Sequence, residues 1–232
     1  MKAMIMSDLL IAKKYLWQQL GIATIVGVFL AIMMGNLYVV SPMIGVMVPF
    51  SLTITILALD ERANWQQFRL ALPISRTDMI TGRYVSFGLL ALCGIAVGLL
   101  ATFLIIAAAQ IVPNVPQLAD LMVNLSWQTI LFPTVIGLVM VLLMLSITMP
   151  LFSRFGMTKG VRYLPLVIIF GVWIGFSVGG SNLSSEFFVN LKALLETTLG
   201  AIGVAAALLA AIAVLYAISA VISVRLYKKR EL

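Results

Sequence analysis

Long apolar runs separated by short polar clusters dominate this chain. The runs cover residues 20–39, 41–59, 82–110, 129–153, 163–180 and 198–224. Each reaches or nearly reaches the roughly 20 residues that a helix needs to cross the hydrocarbon of a bilayer, and the longest exceed it. The first two runs almost merge. A single helix over residues 20–59 would be about 60 Å long, twice the hydrocarbon thickness, so the pattern requires a hairpin, with Gly35, Asn36 and Pro42 as its turn residues. The pattern predicts an all-α polytopic membrane protein with six transmembrane helices, forming a single transmembrane domain over residues 1–232.

Two features lie outside the runs. Residues 1–19 place Met6, Leu9, Leu10 and Trp17 near one face, with Lys2, Lys13, Lys14, Gln18 and Gln19 largely off it, which predicts an amphipathic interfacial helix ahead of the first span. No small-residue cleavage site follows the Lys13-Lys14 pair, so the segment reads as retained. Between the last two runs, Phe187, Phe188, Leu191, Leu194 and Leu195 recur at helical spacing and predict a short helix at the outer interface.

Composition agrees with the pattern: 62% of residues are hydrophobic and 10% charged, against about 25% charged in a soluble domain. The net charge of +7 reports topology rather than affinity for nucleic acid. With both termini in the cytoplasm, Lys2, Lys13, Lys14, Arg62, Arg69, Arg76, Arg83, Arg154, Lys159, Arg162, Arg225, Lys228, Lys229 and Arg230 lie inside and only Lys192 outside; the opposite orientation inverts this bias. The single Cys93 excludes an intrachain disulfide, and the lack of histidine removes the commonest general base and metal ligand.

Candidate chemistry is sparse. Gly175-Phe176-Ser177-Val178-Gly179 has the letters of a serine nucleophile elbow, but it lies in an apolar helix with no histidine to activate the serine. The same glycines with Gly171, the pair Gly94 and Gly98, and the series Gly203, Ala207 and Ala211 form small-residue stripes that let helix backbones approach closely, within one chain by preference. No segment has the phosphate-cradling spacing of a nucleotide-binding loop, so any ATP is bound by another polypeptide. The sequence offers no catalytic, cofactor-binding or metal-binding set. Asp8, Asp60, Glu61, Asp78, Asp120, Glu186, Glu196 and Glu231 all fall in segments predicted as loops, interfacial helices or tails, which argues against ion coupling through intramembrane carboxylates.

One polar cluster has internal order. From Asp60, Glu61 and Arg62 to Arg76, charges of both signs surround Trp65, Phe68 and Leu72; these occupy i, i+3 and i+7, an apolar stripe on a short helix. Pro73 disfavours helix at Leu72, and Ser75 with Asp78 makes a capping pair for the third span. A short helix with apolar anchors ringed by charge suits insertion into a cleft of a protein partner.

This island, Asp60-Glu61-Arg62 through Trp65 and Phe68 to Leu72-Pro73-Ile74-Ser75-Arg76 and on to Arg83-Tyr84, resembles the intracellular segment between the second and third spans of ABC-2-type exporter permeases. The tail Ser223-Val224-Arg225-Leu226-Tyr227-Lys228-Lys229-Arg230-Glu231-Leu232 also resembles that family. The resemblance implies a multi-pass permease of the bacterial cell membrane, paired with a second, commonly identical copy and with two separate ATPase subunits that hold ATP and Mg. It makes residues 60–72 a cytoplasmic coupling helix, with Asp60, Glu61, Arg62, Trp65, Phe68, Arg69, Leu72 and Arg76 contacting the ATPase. The subgroup it suggests is similar to exporters of phenol-soluble modulins, so the implied cargo is an amphipathic peptide or other hydrophobic compound. Two other classes fit the spans alone: an ion-coupled secondary carrier or channel, and a non-transporting membrane scaffold or immunity factor.

Overall fold

The computed structural model describes residues 2–62, 75–111, 127–156, 167, 171, 174, 194–195 and 197–228. The predicted fifth span at 163–180 and the island's Trp65, Phe68, Arg69 and Leu72 therefore fall wholly or largely outside the described residues. What is described is helical: α1 (Lys2–Met34), a 3-10 turn (Leu37–Val39), α2 (Val40–Arg62), α3 (Arg76–Ile111), α4 (Trp127–Phe155) and α5 (Thr198–Lys228). All five long helices have the length and apolarity to cross a membrane.

The interfacial segment and first span form one uninterrupted helix. Nothing stronger than isolated glycines interrupts Lys2–Met34, and a helix of that length runs roughly 50 Å, well beyond the hydrocarbon. It ends at Gly35, whose φ of 64° costs glycine no side-chain clash. The Gly35 amide donates to the Ile32 carbonyl and the Asn36 amide to that of Ala31, a Schellman closure that satisfies two orphan carbonyls. The Asn36 side-chain amide adds a bond to the Met34 carbonyl. At the other end of the molecule α4 also stops on a left-handed glycine, Gly156 at φ 71°, which closes the helix with a single bond from its amide to the Phe152 carbonyl.

Small residues set how closely the helices pack. A Cβ on Gly98 would lie 2.5 Å from the Ser41 carbonyl oxygen, and one on Gly94 would lie 2.7 Å from Pro49, so the α3 stripe packs against α2 within the chain. The stripe on α5 differs, since no atom comes within 4 Å of a Cβ built at Gly203. Hydroxyls add cross-links: Thr134 on α4 donates to Ser41 on α2, and Ser219 on α5 donates to the Ser146 carbonyl on α4.

These contacts fix direction. Pairing of Asp60 with Arg83 and of Ser41 with Gly98 makes α2 and α3 antiparallel. Contacts of Pro42 with Gly137, and of Phe152 with Arg83, make α4 parallel to α2. The Tyr227 contact with Met79 brings the end of α5 beside the start of α3, so α4 and α5 also run parallel. The start of α1, the ends of α2, α4 and α5 and the start of α3 thus gather at one end of the bundle. Every described Lys and Arg lies in the half nearer this end, called the basic end below.

Candidate functional site

The island is bracketed by two rigid helix ends. Helix α2 delivers Asp60, Glu61 and Arg62 as its last residues, and α3 begins at Arg76. The Asp78 amide donates to the Ser75 hydroxyl at 3.0 Å, the N-cap bond that the sequence pattern predicts. Arg76 donates from Nη1 to the Lys228 carbonyl at 3.3 Å, joining the island's end to the end of α5. Glu61 is exposed.

Asp60 departs from the pattern. It is 1% exposed and forms an ion pair with Arg83 of α3. Asp8 of α1, also fully buried, faces the same guanidinium, as does the uncharged phenol of Tyr227 on α5. The Arg83 guanidinium lies 5.4 Å from the centre of the Phe152 ring on α4, within cation–π range. Tyr227 donates its hydroxyl to the Met79 sulfur at 3.2 Å. One guanidinium therefore touches or faces groups from all four other helices. The expectation that every acidic residue occupies a surface segment is overturned for Asp8 and Asp60. Hydropathy places a charge along a helix but not around it, and both residues turn inward near a helix end. Arg83 carried the available signal, because an arginine just inside an apolar run demands a partner.

A second polar layer lies one turn deeper. The Tyr84 hydroxyl is 2.7 Å from those of both Ser219 and Ser223, and Tyr216 donates to the Tyr84 carbonyl at 2.8 Å. The two tyrosine rings pack with centroids 5.0 Å apart. This layer clamps α3 to α5, and through Ser219 to α4. Other hydroxyls turn back on their own helices: Thr55, Ser86, Thr102 and Ser146 each donate to the carbonyl four residues earlier. Their donors are thereby spent within their own helix.

The described surface above these layers is apolar. One groove of about 660 Å³ runs between α1 and α3, past Trp17, Thr24, Ile25, Leu100 and Leu104. Another of about 410 Å³ lies between α3, α4 and α5, past Leu89, Leu92, Leu138 and Ala217. Among the described residues no three His, Cys, Asp or Glu side chains converge as a metal site. What the basic end offers chemically is mechanical: buried charge and hydroxyl bonds fasten together the helices that lead into and out of the island.

Comparison with known proteins adds the family. Residues 3–228 match the family described as ABC-2 family transporter protein. No curated protein matches the chain, and no solved structure does. In that family the transmembrane subunit works with an ABC ATPase. With a match that spans nearly the whole sequence, and five apolar helices to carry it, the chain belongs to the ABC-2 transporter family of multi-pass membrane proteins.

Proposed function

We propose that this chain is the permease subunit of an ATP-driven exporter in a bacterial cytoplasmic membrane. Two identical copies form the pathway, and two ATPase subunits, holding ATP and Mg, dock from the cytoplasm. The observation that carries this reading is the family match over residues 3–228. The coupling element is the 60–72 segment, whose first three residues are the end of α2, with Trp65, Phe68 and Leu72 as anchors and Glu61, Arg62, Arg69 and Arg76 setting register; Asp60, turned inward to Arg83, holds its base. The gathering of described basic residues at the end from which α3 starts supports a cytoplasmic island under the positive-inside rule.

A sixth span over residues 163–180 belongs to this reading. Helices α4 and α5 run parallel, so the chain leaves one end of the bundle at Gly156 and re-enters at the other by Thr198. A single apolar span supplies that return. The cargo is an amphipathic peptide or similarly hydrophobic molecule, in keeping with the apolar grooves and with hydroxyls spent on their own helices.

The test is uptake of a fluorescently labelled amphipathic helical peptide into inside-out vesicles carrying the chain and its ATPase. The expected result is uptake that requires ATP and Mg and is lost in a Trp65→Ala/Phe68→Ala variant that still inserts. Uptake driven by an ion gradient without ATP, and untouched by that variant, contradicts the proposal.

A further inference from the structure

We propose that Arg83 is a positioning residue that ties α1 to the island, so that movement of the α2–α3 connection is passed to the N-terminal helix through Asp8. The inference rests on the permease reading above and names the route by which the island's motion spreads.

Three observations converge on it. Asp60 stands two residues before the end of α2 and pairs with Arg83, so the island's first flank is bonded to the helix that forms its second. Asp8 is wholly buried, and Met4 and Ala12, one turn to either side of it, share a core with Ile80 and Phe87, one turn to either side of Arg83, so the carboxylate and the guanidinium face each other across α1 and α3 although α1 is far from the island in sequence. The surrounding positions are apolar and closed, with Met4, Ala12, Leu57, Ile80 and Phe87 all buried in one core.

One carboxylate paired with a buried guanidinium and a second buried carboxylate facing it make a directional tie. Buried charges are costly to separate from their partners, because the medium around them cannot replace the lost interaction. When α2 and α3 shift together at the island, Arg83 moves with them, and Asp8 follows to keep its counter-charge. Discrete, well-packed groups of this kind switch between arrangements instead of stretching. The N-terminal helix then reports the state of the island without touching it. Position, not charge alone, is the requirement: Arg76 also lies at this end but bonds the α5 terminus.

The experiment uses the complex of the full chain with its ATPase in nanodiscs. Cys93 is replaced by serine, and single cysteines are introduced by Lys13→Cys on α1 or Asp78→Cys on α3, both exposed positions. Maleimide labelling rates are compared with and without ATP and vanadate. In the parent both sites change rate on trapping. In Asp8→Asn, which leaves the Arg83–Asp60 pair in place, the Asp78→Cys site still responds and the Lys13→Cys site loses its response, while the ATPase remains bound. Arg83→Gln loses the α1 response too, and Arg83→Lys, which keeps the positive charge, retains it. A full α1 response in Asp8→Asn overturns the inference while leaving the permease reading standing, and Asp8→Asn decides the matter if Arg83→Gln does not insert. Absence of an ATPase from the parent complex overturns the permease reading, and the inference with it.

Discussion

A buried ion pair is least forgiving when one partner is removed. Asp60→Ala takes away the carboxylate paired with Arg83 and leaves Asp8 facing the guanidinium, so the expected destabilisation is at most about 3–5 kcal/mol and well above that of a surface change. Glu61→Ala, one residue along but exposed, is expected to cost no more than about 1 kcal/mol. Unfolding of the two purified variants in a denaturant series separates these outcomes. Glycines make a second contrast. Gly98→Ala forces a Cβ to within 2.5 Å of a backbone carbonyl oxygen, and overpacking of this kind costs about 1–3 kcal/mol. Gly203→Ala, with open space around the new methyl, is expected to cost nothing and to raise stability by up to about 1 kcal/mol through helix propensity in the same assay. Sequence reasoning recognised the spacing of both stripes but not which was in contact, because spacing within one helix carries no information about the neighbour. Asp60 illustrates the same limit: its place beside Glu61 and Arg62 suggests a solvated flank, and only the approach of α3 turns it into a core residue.

At the scale of elements, the hairpin between α1 and α2 was readable because length forbids a single helix there and Gly35 and Asn36 supply a turn. The Ser75 cap was readable from local spacing, since a serine three residues ahead of an acid marks a helix start. The continuity of α1 was not. Lys13 and Lys14 divide the segment by polarity, yet they lie along an unbroken helix, since charge sets where a helix meets lipid and water without interrupting its hydrogen bonds. The clamp between α3 and α5 was equally hidden, because Tyr84 lies more than a hundred residues from Ser219 and Ser223. Tyr84→Phe removes the hydroxyl shared by both serines. The expected loss is about 1 kcal/mol, in line with hydrogen bonds between membrane helices. Ser219→Ala/Ser223→Ala in the same assay is expected to make the added effect of Tyr84→Phe vanish.

On the scale of the whole molecule, a bundle fastened at its basic end carries the island between α2 and α3. The membrane class was legible from composition and run length, and the resemblance carried by the island agrees with the family that matches residues 3–228. The parallel course of α4 and α5 could not be read from the runs alone, since orientation emerges only from contacts such as Tyr227 with Met79. It makes a topological prediction. In a Cys93→Ser background, Lys159→Cys should be labelled by an impermeant maleimide from the same side as Arg76→Cys, and Ser184→Cys from the opposite side; same-side labelling of all three contradicts a sixth span. The central claim is that this chain couples to an ATPase through its island. Its most direct test is to purify the tagged chain from its native cells in mild detergent, identify bound proteins by mass spectrometry, and repeat with Trp65→Ala/Phe68→Ala. The account predicts an ABC ATPase subunit with the parent chain and its loss from the variant, with insertion unchanged. An intact, inserted parent chain that brings down no ATPase, or a variant that holds it as firmly as the parent, would contradict it.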